Sequence, residues 1–97
     1  LTRHLLEQLS ISVGEDLAAL HALAADAPEE ALRALAHRIK GGAKMIRVRT
    51  VVQDCEAIEA AQAQGSPTDE PRARLQASLQ ALLDDMRAAL NAIAGSN

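Results

Sequence analysis

Residues 34–46 read ALAHRIKGGAKMI, and the apolar residues in and around this stretch recur at helical spacing. The apolar stripe consists of Leu32, Leu35, Ile39, Ala43 and Ile46. Its period predicts a helix that runs to about residue 46. The adjacent glycines Gly41 and Gly42 oppose this, because a glycine inside a helix costs roughly 1 kcal/mol relative to alanine. The pair could instead end the helix as a C-cap. Because the apolar spacing continues beyond the pair, we expect the helix to continue too.

The rest of the chain is also predicted to be helical, with start signals between the helices. Asp26 followed by Pro28 is typical of a helix start, because Asp can cap free N–H groups and the N–H that Pro lacks would be unbonded there. Further upstream, Ser12 and Glu15 have the spacing of a capping box, which predicts a second helix after a short first one. A single continuous helix through Gly14 is the alternative.

Two more helices complete the predicted fold. One carries an apolar stripe from Val48 to Ile58, and its boundary with the preceding helix lies between Arg47 and Thr50. The last, long helix follows a loop at residues 64–71. Amphipathic helices with short connections pack most simply as an antiparallel up-down bundle. The predicted fold is therefore all-α, a four-helix bundle with a short extra N-terminal helix.

Composition limits the number of domains and the classes of function. The 97 residues fit one domain, residues 1–97, and since the first residue is Leu1 we expect a segment of a longer protein. The chain has no aromatic residue on which bases could stack, and its net charge of -3 argues further against nucleic acid. Cys55 is the only cysteine, which favours a reducing cytoplasm. No apolar run approaches the roughly 20 residues that span a bilayer, so we expect no direct membrane contact.

Polar residues of the quoted stretch gather opposite its apolar stripe. At about 100° per residue, one outward stripe follows at spacings of three and four. It consists of Arg33, His37, Lys40, Gly41 and Lys44. Between Ala31 and Gln53 the chain has six basic residues and no Asp or Glu. The six are Arg33, Arg38, Lys40, Lys44, Arg47 and Arg49. A cationic surface around an exposed imidazole suits an anion such as phosphate.

The chemistry that these residue types favour is nucleophilic. An exposed imidazole is a competent nucleophile at neutral pH because a large fraction of it is uncharged. Attack on a phosphoryl group needs in-line approach and charge neutralisation, and Lys40, one turn after His37, is the predicted cation. Gly41 leaves bare backbone beside the ring for a partner protein. Gly42 is predicted to lie nearer the core, where a small residue lets a neighbouring helix approach.

Residues 37–43, HRIKGGA, resemble the H-x-[LI]-K-G-[SGA]-[SA] signature of histidine phosphotransfer (HPt) domains. Residues 55–59, CEAIE, look like the C-x-x-L-E motif that the family has on its next helix. The glycine pair together with CEAIE is most similar to HPt domains at the C-termini of unorthodox hybrid sensor kinases of the BvgS/EvgS type. The family often has Gly where this chain has Arg47, which leaves the break between the two helices undefined.

The resemblance implies a single HPt domain cut from the C-terminus of a larger sensor kinase of a two-component system. His37 would accept a phosphoryl group from an aspartate on the parent kinase's receiver domain and pass it to an aspartate on the receiver domain of a response regulator. Lys40 would steady the phosphoryl oxygens. Mg²⁺ would be bound by the receiver, and this domain would need no cofactor. The residues expected to dock partners are Arg33, Arg38, Gly41, Gly42 and Lys44.

Such a domain is a phosphoryl carrier without an ATP site, whereas its parent would be a histidine kinase. The resemblance allows for an anchor of that parent in a bacterial inner membrane, outside this segment. The isolated domain is expected to be cytoplasmic and monomeric. We expect no metal site, because His37 has no His, Cys, Asp or Glu three or four residues away on either side. The alternative function is a helical bundle that binds a partner or dimerises without any phosphoryl chemistry.

Overall fold

The computed structural model describes residues 2–95, which form four α-helices joined by short loops. The helices are α1 (Arg3–Ala22), α2 (Glu29–Met45), α3 (Arg49–Ala63) and α4 (Asp69–Gly95). Connections this short make consecutive helices antiparallel neighbours. The predicted all-α four-helix bundle is thus confirmed. Residue 1 and residues 96–97 of the predicted domain lie outside the described residues.

α1 is one continuous helix, so the predicted short extra N-terminal helix is wrong and the alternative through Gly14 is correct. The helix begins after Thr2, whose Oγ1 accepts a hydrogen bond from the Leu5 N–H at 3.1 Å. Apolar residues keep helical spacing on both sides of Gly14, and each buried one contributes roughly 1.5–3 kcal/mol. This burial outweighs both the glycine and the capping signal at Ser12. The buried residues of α1 are Leu6, Val13, Leu17 and Leu20.

α2 carries the quoted stretch and continues through the glycine pair to Met45, as the apolar spacing predicts. The predicted cap at Asp26 is wrong, because the N-cap is Pro28 and no side chain caps the helix. Glu29 and Glu30 instead place negative charge in the first turn, where the helix dipole favours it. The buried residues of α2 are Leu32, Ala36, Ile39 and Ala43.

The break between α2 and α3 is a Schellman motif centred on Arg47, which has a left-handed φ of 59°. The Val48 N–H donates to the Ala43 carbonyl at 2.9 Å, and the Arg47 N–H donates to the Lys44 carbonyl at 3.3 Å. The C-terminus of α3 has the same geometry, with Gly65 at a φ of 67°. Since a side chain disfavours left-handed backbone, Arg47 is strained where Gly65 is not.

Replacing Arg47 by glycine should therefore stabilise the bundle. We expect Arg47→Gly to raise the free energy of unfolding by about 1 kcal/mol, because relief of the left-handed strain exceeds the extra entropy of an unfolded glycine. Urea denaturation followed by far-UV circular dichroism measures this. The converse variant Gly65→Ala should lose about the same amount. An Arg47→Gly chain that unfolds at lower urea than the wild type would contradict the assignment of strain.

The core lies along the bundle axis and is aliphatic. Its largest fully buried side chains are Leu20, Val51, Cys55, Ile58, Leu75 and Leu79. Burial raises the pKa of the Cys55 thiol to about 12, with the carboxylates of Glu59 and Asp54 contributing further. Cys55 therefore packs as a small apolar residue and carries no thiolate at neutral pH.

Candidate functional site

His37 lies midway along α2 with its imidazole exposed to solvent. The buried face of α2 fixes how the helix is rotated about its axis, because Ala36 is 0% and Ile39 is 2% exposed. Both pack in the core, so the helix cannot turn His37 inward without exposing them. The imidazole is therefore accessible from solvent, as predicted, and a partner can reach the ring.

Lys40, one turn beyond His37, does not project freely into solvent as the outward stripe predicted. Its side chain is only 16% exposed, and its Nζ lies 2.6 Å from Oε1 of Glu59 on α3. That oxygen is sealed from solvent, and although the approach angle departs from an ideal hydrogen bond, the separation makes the contact an ion pair. The pKa of Lys40 is raised, mainly by the hydrogen-bonding interaction with Glu59 and then by the charges of Glu59 and Glu56. The ammonium therefore stays charged and is held on the α3 side of His37.

Arg38 points the other way and joins α2 to α1. Its Nη2 donates to Asp16 Oδ1 at 3.1 Å. The two helices have the smallest interface among adjacent pairs in the bundle. A cavity of about 50 Å³ beside this interface is lined by residues of all four helices, among them Asp16 and Gly42. Burial raises the pKa of Asp16, and the hydrogen bond and charge of Arg38 offset this only in part.

This shift predicts how stability depends on pH. Because the pKa of Asp16 is higher in the folded chain, the folded state binds more protons than the unfolded state just above the ordinary carboxyl pKa of about 4. The contribution of Asp16 to stability therefore falls as pH rises through this window. We expect the Asp16→Asn variant to gain stability relative to the wild type between about pH 3 and 6, measured by urea denaturation at each pH. If the stability advantage of Asp16→Asn over the wild type shrank with rising pH, the pKa of Asp16 could not be raised in the folded chain.

The other predicted site residues are exposed. Arg33, Gly41 and Lys44 lie on the surface of α2, as expected for the outward stripe. Gly42 is exposed as well, and a Cβ placed on either glycine would meet nothing within 4 Å. The predicted packing role of Gly42 is therefore wrong, because no neighbouring helix approaches its Cα closely. Open space beside both glycines leaves room for an approaching surface.

The acidic partners of the basic stretch lie on other helices and were not predicted. Two of its six basic residues, Arg38 and Lys40, form ion pairs with acids that α1 and α3 supply. The other four form no salt bridge with any residue of the described range 2–95. The four are Arg33, Lys44, Arg47 and Arg49. The surface around His37 is cationic, but less so than the sequence interval suggested.

Two further properties of the described residues bear on the site. Within residues 2–95, no group of three or more His, Cys, Asp or Glu side chains is placed to hold a metal ion. Over the same range, no helix has the length and apolar character required to cross a membrane.

Within the described residues, the four-helix bundle presents His37 on the exposed face of α2, with Lys40 one turn further along the helix. Residues 4–93 match the family model of the Hpt domain, so the chain belongs to the Hpt domain family. Hpt domains carry out histidine phosphotransfer in the phosphorelays of two-component signalling and interact with receiver domains. No curated protein and no solved structure matched the chain.

Proposed function

We propose that His37 is the phosphoryl-accepting residue of this Hpt domain and that the chain is an intermediate in a phosphorelay. The observation that supports this most is the exposed imidazole with a charged lysine one turn away on the same helix. His37 also occupies the first position of the HPt-like segment 37–43. Neither His4 nor His21, which are exposed too, has a lysine at that spacing.

The proposed step is a direct transfer between two side chains. The unprotonated nitrogen of His37 uses its lone pair to attack the phosphorus of an aspartyl phosphate, in line with the acyl oxygen. The N–P bond forms while the P–O bond to the aspartate breaks, and the aspartate leaves as a carboxylate. The proton on the other ring nitrogen is then free to go to water. Transfer to a second aspartate is the same reaction in reverse.

Lys40 is proposed to stabilise the phosphoryl oxygens, and Glu59 to position it. Glu59 holds Nζ at 2.6 Å, so the side chain of Lys40, one turn along α2 from His37, is already ordered before a phosphoryl group arrives. A phosphoryl group on the ring would add negative charge one helical turn from the same ammonium. It would compete with Glu59 for Lys40, so the ion pair with Glu59 weakens as the ammonium neutralises the transferred group.

The partners in this proposal are the receiver domain of a parent kinase and that of a response regulator. The parent is proposed to be a sensor kinase of the BvgS/EvgS type in a bacterial inner membrane, with this domain at its C-terminus on the cytoplasmic side. Mg²⁺ would be carried by the receiver. The isolated domain is proposed to be monomeric, and the surface that docks receivers consists of Arg33, Arg38, Gly41, Gly42 and Lys44.

The test uses receiver domains of the source organism, each charged with acetyl phosphate and Mg²⁺ and then mixed with the 97-residue chain. At least one should transfer its phosphoryl group to the chain, and mass spectrometry of peptides kept at alkaline pH should locate the group on His37. The alternative, a binding or dimerising bundle without phosphoryl chemistry, predicts a complex but no label. A label on any other residue would refute the site assignment.

Gly41 provides a test of access that is separate from chemistry. Its surroundings are open, so Gly41→Ala should stabilise the helix by about 0.5–1 kcal/mol and leave transfer nearly unchanged. Gly41→Leu should fold as well, but should slow transfer from a receiver about tenfold, because a large side chain one turn from His37 obstructs docking. Denaturation and initial transfer rates of both variants check this. Equal rates for the Ala and Leu variants would contradict the proposed access role.

A further inference from the structure

Three basic side chains surround a shallow depression at the turn between α2 and α3. Lys44, Arg47 and Arg49 line it together with Val52. All three basic residues are exposed, and none forms a salt bridge with another residue of the described range. These three residues, Lys44, Arg47 and Arg49, are named the turn cluster.

Four other cations of the described residues form salt bridges, whereas Arg33 and Arg87, like the turn cluster, form none. Arg3 and Arg74 are paired with carboxylates four residues away on their own helices, and Lys40 is paired across helices. The whole chain is acidic, with a net charge of -3. Three neighbouring cations without a counterion repel one another, so their concentration at one turn lowers stability. Within residues 2–95, no carboxylate forms a salt bridge with any of the three.

The backbone at the turn cluster is also strained, which lowers stability further. Arg47 has a left-handed φ of 59°, a conformation in which glycine would be unstrained. α3 begins two residues later with no acidic residue in its first turn and no side-chain cap, so the positive end of its dipole adds to the cationic field. The negative end of the α2 dipole, at the same turn, favours Lys44. Strain in the backbone and charge repulsion therefore coincide at one exposed position.

The position relative to His37 indicates what the cluster can reach. Lys44 is seven residues beyond His37 on α2, about 10 Å along the helix axis. A standard protein interface covers about 800 Å² on each partner, a patch roughly 30 Å across. A protein centred on His37 therefore extends to the turn cluster. Because the three side chains are exposed and no polar group beside them is buried, the cluster suits an extended acidic surface better than a small enclosed anion.

We propose that the turn cluster docks an acidic surface of the receiver domain and thereby contributes to the choice of receiver. This inference rests on the proposed function and adds Arg47 and Arg49 to the docking surface. The turn cluster raises the rate at which the receiver associates with the chain. Exposed charges at the edge of an interface change the association rate and its salt dependence more than the chemical step. The phosphoryl transfer at His37 is left unchanged once the complex has formed.

The test compares two double variants that remove the same charge. Arg47→Gly/Arg49→Gln removes two cations of the turn cluster, and Arg3→Gln/Arg74→Gln removes two from the exposed pairs on α1 and α4. The association rate with a receiver domain that binds the wild-type chain is measured by stopped flow over a range of salt. In parallel, phosphoramidate, a small phosphodonor that needs no docking, is used to label His37 directly.

We expect the cluster variant to associate about tenfold more slowly at low salt and within about twofold of wild type at high salt, whereas the control pair changes the rate less than about twofold throughout. Both should accept phosphoryl from phosphoramidate like the wild type.

Equal effects of the two pairs, or no effect, would overturn the inference. So would displacement of the receiver by millimolar inorganic phosphate, which would identify a small-anion site. Failure of the proposed function has a different signature: the receiver binds with cluster dependence, yet His37 gains no label from any donor.

Discussion

The His37→Gln chain should not become phosphorylated by any receiver domain. We expect the rate of label incorporation to fall at least about 10³-fold, because the glutamine amide has no nucleophilic lone pair to replace that of the imidazole. The far-UV circular dichroism spectrum and the urea midpoint should match those of the wild type, since the side chain is exposed and no core contact is lost. Radiolabel transfer from a charged receiver, quantified on gels run without acid treatment, measures the effect.

Two other histidines of the chain provide matched controls. His4 and His21 are also exposed on helical surfaces, so His4→Gln and His21→Gln make the same chemical change at comparable sites. Both variants should be labelled at the wild-type rate. Label that persists in His37→Gln, or that disappears in either control, would contradict the assignment of His37 as the phosphoacceptor.

Loss of the lysine beside the imidazole should have the next largest effect. We expect Lys40→Gln to slow phosphoryl transfer about 100-fold, because the transition state then lacks a fixed positive charge near the phosphoryl oxygens. The interaction with Glu59 raises the pKa of Lys40, so the wild-type ammonium should remain charged across the whole working pH range. Single-turnover transfer at saturating receiver isolates the chemical step from docking.

The ion pair complicates this variant, and a double substitution resolves the difficulty. Lys40→Gln leaves Glu59 Oε1 sealed from solvent without its cation, so the single variant should also unfold more easily. In Lys40→Gln/Glu59→Gln the remaining partner is neutral, so stability should recover while transfer stays slow. Glu59→Gln alone should transfer within a few-fold of wild type. Recovery of both stability and transfer in the double variant would show that Lys40 has only a structural role.

The parts of the structure that depend on periodicity could be predicted from the sequence. The stripe around Ile39 located the buried face of α2, and its continuation beyond Gly42 correctly predicted a helix through the glycine pair. Since the buried face sets the rotation of the helix, the exposure of His37 followed as well. Local signals were less reliable where burial opposed them. Ser12 resembled a helix start, but the apolar spacing on both sides of Gly14 kept α1 intact.

The parts that depend on how the helices meet could not be predicted. The pairing of Lys40 with Glu59, and of Arg38 with Asp16, depends on the register of α2 against α3 and against α1. No sequence spacing encodes that register. The same reason explains Gly42, which lies at the edge of a face where the rotation of a neighbouring helix decides between contact and open space. The resemblance to the HPt motif included Glu59 in its pattern but gave it no partner.

The sealed thiol at the centre of the bundle gives this chain an internal reporter of transient opening. Cys55 is 0% exposed, and its pKa of about 12 leaves almost no thiolate even where solvent reaches it through the intact bundle. An alkylating reagent at mildly alkaline pH therefore reacts only with molecules whose helices have separated. The chain has no aromatic residue whose fluorescence could report unfolding. The alkylation rate of this one sulfur therefore measures how a bound receiver or a phosphorylated His37 changes the frequency of transient opening.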